Sequence, residues 1–236
     1  MNRSDINSIL RDADVFIRDQ GFVLPPFANW TPQDWKGISD ASRLVAPRLG
    51  WDITDFGSGD FSRCGLVLFT LRNGAPTQLG GVLDKPYAEK VLVVKERQVT
   101  PMHCHRVKTE DIINRSGASL IIELRRGTPE GTVGEEDVTV FVDSRARAVP
   151  GGGHVKLEPG ESITLEPYCF HSFWAEGGSV LAGEVSSVND DATDNLFLKS
   201  SGRFPEIVED VAALRLLVSD YGAFSNGRFT AMATAP

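Results

Sequence analysis

Cysteine is scarce in this chain, and long apolar runs are absent from it. The three cysteines, Cys64, Cys104 and Cys169, are odd in number and widely spaced, which argues against a disulfide framework and is typical of a reducing compartment. No apolar run is long enough to span a membrane, and the first residues, MNRSDINSILRDAD, lack the apolar core of a signal peptide. We therefore expect a cytoplasmic protein.

Basic residues are fewer than acidic residues in this chain. The chain has 24 lysines and arginines against 32 aspartates and glutamates, giving a net charge of −8 and a pI near 5.1. This balance argues against a nucleic-acid partner and against an anionic membrane surface. A length of 236 residues fits one large domain or two small ones, and a chain this long can bury a sizeable core without disulfides.

Histidine is rare too, yet two of the four histidines lie two positions apart. Side chains two apart on a strand share one face, so His103 and His105 are expected to point the same way. Glu110 follows closely, and His171 ends another strand-like run, SITLEPYCFH. Three imidazoles and one carboxylate suit a divalent Mn, Fe, Co, Ni or Zn. Because Glu110 lies an odd interval after His105, this prediction requires a turn or bulge around 107–109.

Each of these residues also has an ordinary structural interpretation. A His-x-His pair alone is often a pair of surface or hydrogen-bonded histidines. Cys104 lies between the two histidines and is expected to face the opposite side as a small core residue. Three glycines at 151–153 are expected to form a hairpin tip and not a phosphate-binding loop, because no helix start follows them. His154 beside them is expected to be a loop histidine that binds no metal.

Periodicity near the N-terminus predicts helices. An apolar stripe indicates an amphipathic helix over 4–20, capped by Ser4 and ended by Gly21. Thr31, followed by proline, predicts the start of a second, short helix over 32–37. The stretch ASRLVAPRL is predicted to be helical up to its proline.

Short strand-like runs fill the rest of the chain, with a turn signal at Asn73-Gly74. The runs are CGLVLFTLRNG, KVLVVKERQVT, ASLIIELRRG, VTVFVD, HVKLEPG, SITLEPYCFHSFWA and SVLAGEVSSVN. So many strands without intervening helices predict an all-β sandwich or barrel. We expect one domain, with a helical extension over 1–50 and a barrel over 51–236. The tail GRFPEIVEDVAALRLLVSDYG is interpreted as either a surface helix or a segment folded over the barrel mouth.

The spacing of the metal-ligand candidates resembles the signature of the cupin superfamily. His-x-His, four residues, Glu, six residues and Gly are met by His103, His105, Glu110 and Gly117, with His171 far downstream. The resemblance implies a mainly β fold, the double-stranded β-helix or jelly-roll barrel, with a metal inside. The segment PYCFHSFWA departs from the family pattern, because no glycine follows its proline and an alanine stands where asparagine is common.

Within the cupins, the chain most resembles the D-lyxose isomerase family. The stretches PMHCHRVKTEDIINRSG, LEPYCFHSFWAEGG, GEVSSVNDDATDNLF and RFPEIVEDVAALRLLVSDY carry this likeness and cover much of residues 100–221. The resemblance implies a divalent-metal aldose–ketose isomerase, often manganese-dependent, that interconverts D-lyxose and D-xylulose. D-Mannose and D-fructose are the implied companion substrates, and a homodimer is the implied assembly.

Such an isomerase moves a proton between C1 and C2 of an open-chain sugar through a cis-enediol, so it needs a base outside the metal shell. The resemblance places the tail near the sugar, which makes Glu206 the first candidate base. Glu184 interrupts an apolar strand and is the second candidate. Lys108 is a candidate to protonate or polarise the sugar oxygens. Lys90 and Arg215 are candidates to bind sugar hydroxyls.

Two other functions fit the same pattern. A cupin dioxygenase can also use three histidines and a glutamate, but it would consume oxygen and need no further carboxylate. A non-catalytic sugar-binding cupin would bind without interconversion. Asp190, Asp191 and Asp194 are interpreted as turn and capping residues near the barrel rim.

Overall fold

Antiparallel strands dominate the computed structural model of the chain, which describes residues 1–74, 85–191, 193–199 and 206–225. This confirms the prediction of a mainly β protein. The described strands are β1 Gly50–Thr54, β2 Leu66–Arg72, β3 Tyr87–Val94, β4 Thr100–His105, β5 Glu110–Arg126, β6 Val138–Val142, β7 Arg145–Val149, β8 His154–Leu157, β9 Ser162–Leu165, β10 Cys169–Ser187 and β11 Asn195–Phe197. Asn73 and Gly74 follow β2 outside any strand, and the rest of that predicted turn lies outside the described residues.

The long strand β10 organises the sheet. The strands run in the order β1-β2-β3-β10-β5-β9-β6-β7, with β4, β8 and β11 joined to this path at its sides. β5 pairs along both halves of β10. On the other edge of β10, β4 pairs with the first half and β3 with the second half. Residues from β3, β4, β5 and β10 are thereby brought to one region.

The boundary between β9 and β10 differs from the prediction. The stretch SITLEPYCFHSFWA was expected to form one strand, but the structure divides it at 166–168. Tyr168 has a positive φ of 61°, a conformation that non-glycine residues rarely adopt. Tyr168 therefore makes the turn for which the cupin pattern has a glycine, and His171 becomes the third residue of a new strand.

A bulge in β10 reverses which side chains face inward. Phe173 and Ala175 precede the bulge and Val180 and Ala182 follow it, yet all four belong to the same core cluster. An unbroken strand would place odd-numbered and even-numbered residues on opposite faces. The register shifts between Glu176 and Val180, where Gly177 and Gly178 both have positive φ. The two glycines thus let one strand present both of its halves to the same core.

Two apolar clusters lie on opposite faces of β2 and β3. Leu68 and Leu92 pack into the first cluster, which also contains residues of β5 and β10. Val67 and Val91, their neighbours in sequence, pack into the second cluster, under the N-terminal helix. The alternation of these strands therefore separates an inner core from an outer core.

Helix α1, Arg3–Asp19, covers the outer cluster with Ile6, Leu10, Ala13 and Ile17. The helix was predicted over 4–20 with Ser4 as its cap. Asn2 occupies the cap position instead, and the Ser4 backbone N–H and hydroxyl both donate to Asp210. The predicted cap is therefore wrong, because the tail of the chain binds this serine.

The other predicted helices form. Helix α2, Pro32–Lys36, begins at Thr31, whose side chain accepts from the Asp34 N–H while Asp34 accepts in return. This is a reciprocal capping box, as the sequence indicated at Thr31. Helix α3 is a single turn, Ser42–Val45. Among the described residues, no helix is both long and apolar enough to cross a membrane.

The tail lies along α1. The Asn7 side chain donates to the Ala212 carbonyl and accepts from the Leu214 N–H. From 206 to 217 the described tail contains no helix, and helix α4, Tyr221–Ser225, follows a short 3-10 turn. The described part of the tail therefore forms neither the long surface helix nor a cover over the barrel mouth.

Arg3 anchors the tail through a buried ion pair, and its removal should destabilise the fold. Its guanidinium lies 2.9 Å from Asp220 and also pairs with Glu209, while Arg3 is completely buried. Arg3→Met leaves Asp220 buried without its cation, so we expect the free energy of unfolding to fall by about 3 kcal/mol. Urea denaturation measures the loss.

The matched control for this variant is Arg18→Met. Arg18 pairs with Asp14 within α1, but its side chain is 64% exposed, so its loss should cost less than about 1 kcal/mol. Equal losses in the two variants would contradict an anchoring role for Arg3.

Candidate metal centre and active site

Three strands bring the predicted metal ligands together. His103 and His105 come from β4, and His171 on β10 lies directly opposite His103 in the strand register. The ring nitrogens that the three histidines offer lie within 4.8 Å of one another. Glu110 is the first residue of β5, after a turn over 106–109. The interruption predicted between His105 and Glu110 is therefore present.

The Glu110 carboxylate points at the same place. Its Oε1 lies 3.3 Å from Nε2 of His105 and 3.2 Å from Nε2 of His171. The ring of His103 lies 4.3 Å from that of His171, centre to centre. Glu110 is almost completely buried, so the three imidazoles and this carboxylate converge in an interior location.

The backbone sets the orientation of two imidazoles. Nδ1 of His103 lies 2.7 Å from the Pro101 carbonyl, and Nδ1 of His171 lies 3.0 Å from the Cys169 carbonyl. A carbonyl oxygen accepts a hydrogen bond, so Nδ1 carries the proton in each ring. Each Nε2 then keeps its lone pair and faces the cluster, as metal-ligating imidazoles do.

The donor set fits a divalent transition metal. Nε2 of His171 is buried and has no hydrogen-bond partner among the residues that the structure describes, which is costly for a polar atom unless a ligand is bound. Imidazole nitrogens with one carboxylate oxygen suit Mn, Fe, Co, Ni or Zn. The four predicted ligands are therefore placed to hold such an ion.

Electrostatics prepare these ligands for a cation. Burial holds the pKa of His103 well below its ordinary value and also lowers the pKa of His105. Burial alone would raise the pKa of Glu110, but Lys108 and His105 outweigh it and hold that pKa well below normal. At neutral pH the two imidazoles are therefore neutral and Glu110 is a carboxylate, the forms that bind metal.

A second carboxylate lies beside the cluster, held by two lysines. Glu184 on β10 is directly opposite Lys90 on β3, and their charged groups are 3.1 Å apart. Nζ of Lys108 lies 2.8 Å from Glu184 and 2.7 Å from Glu110. Asn189 accepts from Lys90 at 2.7 Å and from Lys108 at 3.4 Å. Lys108 thus connects the metal ligand Glu110 to the second carboxylate.

These four charges are all buried, at 5% exposure or less. Burial alone would raise the pKa of Glu184, but Lys108 and Lys90 outweigh it, so the pKa of Glu184 is lowered. Burial would lower the pKa of Lys108, but Glu110 and Glu184 raise it. Both glutamates are therefore ionised at neutral pH, and Lys108 carries a proton.

His171 and Glu184 share a cavity because of the bulge in β10. His171 and Glu184 are thirteen positions apart, an odd interval, yet both line the same cavity. The Gly177-Gly178 bulge supplies the change of face.

The cavity has a polar side and an apolar side. Phe197 stacks on His103 with ring centres 5.4 Å apart and meets Phe56 at 5.8 Å. The lining residues are Thr54, Phe56, Leu66, Leu68, Lys90, Leu92, Thr100, His103, His105, Lys108, Glu110, Ile112, His171, Phe173, Glu184, Asp191, Asn195 and Phe197. A small molecule in this cavity meets ionised and hydrogen-bonding groups along one side and rings and aliphatic chains along the other.

Two predicted site residues lie elsewhere. Glu206 is exposed, and its backbone carbonyl accepts from the Met1 amino group at 2.7 Å. Arg215 donates to Asn29 at 2.9 Å, also pairs with an aspartate of α1, and lies over the Trp51 ring. Neither residue lines the cavity. Within the described residues, Glu206 and Arg215 therefore lie apart from the histidine cluster, because the tail from residue 206 onward packs along α1.

The remaining predictions at the site have simple outcomes. Cys104 is fully buried, as a core residue would be. His154 is exposed and its ring packs against Trp174, apart from the three clustered histidines. Sequence reasoning missed Asn189, because an asparagine after a strand is an ordinary turn signal.

Comparison with known proteins identifies the family. The D-lyxose isomerase family matches residues 1–221. The chain belongs to the D-lyxose isomerase family. A relative from Escherichia coli O157:H7, named D-lyxose/D-mannose isomerase, is 45% identical over 228 residues, covering 95% of this chain and 100% of the relative. A relative of the same name from Serratia proteamaculans is also 45% identical, over 95% of this chain and 99% of its own length.

Solved structures of other sugar isomerases share the fold of this D-lyxose isomerase family member. The Cellulomonas parahominis L-ribose isomerase with L-psicose aligns with a TM-score of 0.59 at 16% identity, covering 88% of this chain and 98% of the other. At this identity the likeness shows the fold alone. The family and the relatives together make this chain a sugar isomerase.

Removal of one histidine should abolish metal binding at this centre. His171→Ala deletes a ligand whose Nε2 faces Glu110, so we expect the affinity for Mn²⁺ or Zn²⁺ to fall by more than about 100-fold. Competition with a chromophoric chelator measures the affinity. His154→Ala is the matched control and should bind metal like the wild type, so equal losses in both variants would contradict the assignment.

Metal affinity should persist in mild acid. Because the pKa values of His103 and His105 are lowered, protons compete with the metal at these two ligands only below about pH 6.5, the ordinary value for histidine. The dissociation constant, measured from pH 8 to pH 5 with circular dichroism as a check on folding, should therefore rise less steeply near pH 6.5 than it would for three histidines of ordinary pKa. A rise as steep as that of three ordinary histidines would contradict the prediction.

Proposed function

We propose that this chain is a divalent-metal-dependent aldose–ketose isomerase that interconverts D-lyxose with D-xylulose and D-mannose with D-fructose. One observation carries the proposal. Lys108 lies within hydrogen-bonding distance of Glu110, which faces the histidine cluster, and of Glu184, a buried carboxylate outside that cluster. The cavity therefore offers a metal centre and a separate carboxylate base, which this isomerisation requires.

The names of the relatives support the choice of sugars. Two proteins at 45% identity, aligned over nearly their whole length, are named D-lyxose/D-mannose isomerase. The donor set suits Mn, Zn, Co, Fe and Ni alike, and the family resemblance favours Mn²⁺ among them. Both lysines that line the cavity pair with a glutamate, which favours a free sugar over a phosphorylated one.

In the proposed mechanism, Glu184 is the base. A bound divalent cation supplies Lewis acidity, which stabilises negative charge on the sugar oxygens. Glu184 takes the proton from C2 of the open-chain aldose while O1 gains a proton, giving the cis-enediol. O2 then loses its proton, and Glu184, after exchanging its proton with solvent, delivers a proton to C1 to give the ketose. Protons are only redistributed, so no oxidant or reductant is needed.

The two lysines hold the polar groups for this transfer. The protonated Lys108 amine lies between the two carboxylates. It is placed to exchange protons with O1 and O2 of the sugar. Lys108 and Lys90 keep Glu184 ionised. Lys90, which also donates to Asn189, is proposed to bind a sugar hydroxyl. The apolar side of the cavity, including Phe197, excludes water from the enediol.

The homodimer, the cytoplasmic location and the division at residue 50 stay predictions from the sequence. Light scattering coupled to size exclusion tests the dimer directly. A mass equal to one chain of 25.7 kDa would contradict it.

Replacement of the proposed base should separate chemistry from metal binding. Glu184→Gln keeps the size of the side chain but cannot accept the C2 proton, so we expect kcat to fall by about 10²- to 10⁴-fold with the metal still bound. The measurement is incorporation of solvent deuterium during turnover of D-lyxose and D-mannose under nitrogen. Glu206→Gln is the matched control and should exchange at the wild-type rate, because Glu206 lies outside the cavity.

Other outcomes would favour the rival functions. Turnover that persists after complete chelation would remove the metal from the mechanism. Oxygen consumption without sugar interconversion would favour a dioxygenase. Saturable sugar binding with no deuterium incorporation would favour a binding protein. Full activity of Glu184→Gln together with loss of activity in Glu206→Gln would indicate that Glu206 in the tail is the base.

A further inference from the structure

Asp194 holds the turn that joins two metal ligands. It directly precedes β11, and it is 7% exposed. Its carboxylate accepts from three successive backbone N–H groups, those of Arg106 at 3.0 Å, Val107 at 2.8 Å and Lys108 at 3.2 Å. These residues form the turn between His105 and Glu110. One buried carboxylate therefore fixes the backbone that connects the two ligands.

The same carboxylate faces a metal-ligand imidazole. Oδ2 of Asp194 lies 3.7 Å from Nδ1 of His105. That nitrogen is buried and has no hydrogen-bond partner within the described residues. The other two ligating histidines use backbone carbonyls for their Nδ1 atoms. His105 differs from them, because the group that faces its outer nitrogen is charged.

We propose that Asp194 is a positioning residue of the metal centre. The inference rests on the proposed function, since it needs the metal. Asp194 acts in two ways. Its negative charge favours the His105 tautomer with the proton on Nδ1, which leaves Nε2 to bind the cation. Its bonds to the turn fix the backbone of Lys108, whose Nζ must lie between Glu110 and Glu184.

If Asp194 only caps the turn and does not position the metal ligands, a different result is expected. The sequence indicates capping for Asp194, and a cap stabilises the loop without changing the affinity of a separate site. The proposal requires metal affinity to change while the fold is preserved. Stability and affinity are therefore measured on the same variants.

Asp194→Asn is the test variant. Its amide oxygen can still accept from the turn, but the NH₂ group presents a donor where Oδ2 faced the Lys108 N–H and Nδ1 of His105. We expect the affinity for Zn²⁺, measured by chelator competition, to fall by about 10- to 100-fold, with the thermal midpoint of the metal-free protein within a few degrees of wild type.

Asp190→Asn is the matched control. Asp190 lies in the same loop and its carboxylate binds the backbone N–H and hydroxyl of Thr193, so the variant removes the same charge without altering the turn at 106–108. We expect its Zn²⁺ affinity to equal that of the wild type. A loss equal to that of Asp194→Asn would assign the effect to loop charge and overturn the proposal.

A spectroscopic measurement keeps the inference testable if Asp194→Asn fails to fold. In zinc-loaded protein labelled with ¹⁵N-histidine, the proposal expects wild-type His105 to bind through Nε2 with a protonated Nδ1. In Asp194→Asn we expect the Nδ1–H signal of His105 to move while those of the two carbonyl-bonded histidines stay in place. Binding of zinc through Nδ1 in the wild type would overturn the proposal.

The outcomes separate this inference from the proposed function. If wild type and Asp194→Asn bind Zn²⁺ equally, the positioning role of Asp194 is wrong and the metal centre stands. If the wild type binds no divalent metal at all, the metal-dependent function fails and the inference fails with it.

Discussion

Glu110 connects the histidine cluster to the buried lysine–glutamate pairs, and its own charge would be costly to bury without these partners. One of its oxygens faces the imidazoles of His105 and His171, and the other lies 2.7 Å from Lys108. A buried carboxylate without such partners would lose several kcal/mol of solvation. Lys108 is equally dependent, because its charge is buried between Glu110 and Glu184. Each buried charge of the site therefore depends on a neighbour of opposite charge, and the surrounding strands must hold these groups at short distances.

The two-sided sheet meets that requirement. Residues of β2, β3 and β10 that face inward line the cavity or its core, whereas their sequence neighbours pack beneath α1. Helix α1 and the described part of the tail, from residue 206 to residue 225, contribute no side chain to this cavity. They cover the outer face of the strands from which Lys90 and Glu184 project, so their effect on the chemistry is indirect, through the rigidity of β3 and β10.

Much of the centre was predictable from local spacing. His103 and His105 share a face because strand side chains alternate, and Glu110 needed the turn that the structure contains. Glu184 was a candidate because it interrupts an apolar strand, and its buried carboxylate meets two lysines. These inferences depend on residues close in sequence or on the cost of a buried charge, and both can be argued from a string of letters.

The features that the sequence alone does not place share a different physical origin. The shared cavity of His171 and Glu184 depends on a bulge whose effect on side-chain direction shows only after strands are paired. The positions of Glu206 and Arg215 depend on which surface the tail contacts. Arg215 was a candidate to bind sugar hydroxyls, but its guanidinium pairs with Asp14 of α1. Long-range packing of this kind leaves no periodic signal in the sequence.

Strand pairing on both sides of Glu184 limits what its side chain can do. Position 184 pairs with Lys90 in β3 and with Ile112 in β5, so its backbone is fixed in the middle of the sheet. Under the proposed mechanism, this carboxylate can approach a bound enediol from one side of its plane alone. A proton returned to C2 then arrives on the face from which it left. The aldose is regenerated with its original handedness, which keeps lyxose distinct from xylose and mannose distinct from glucose.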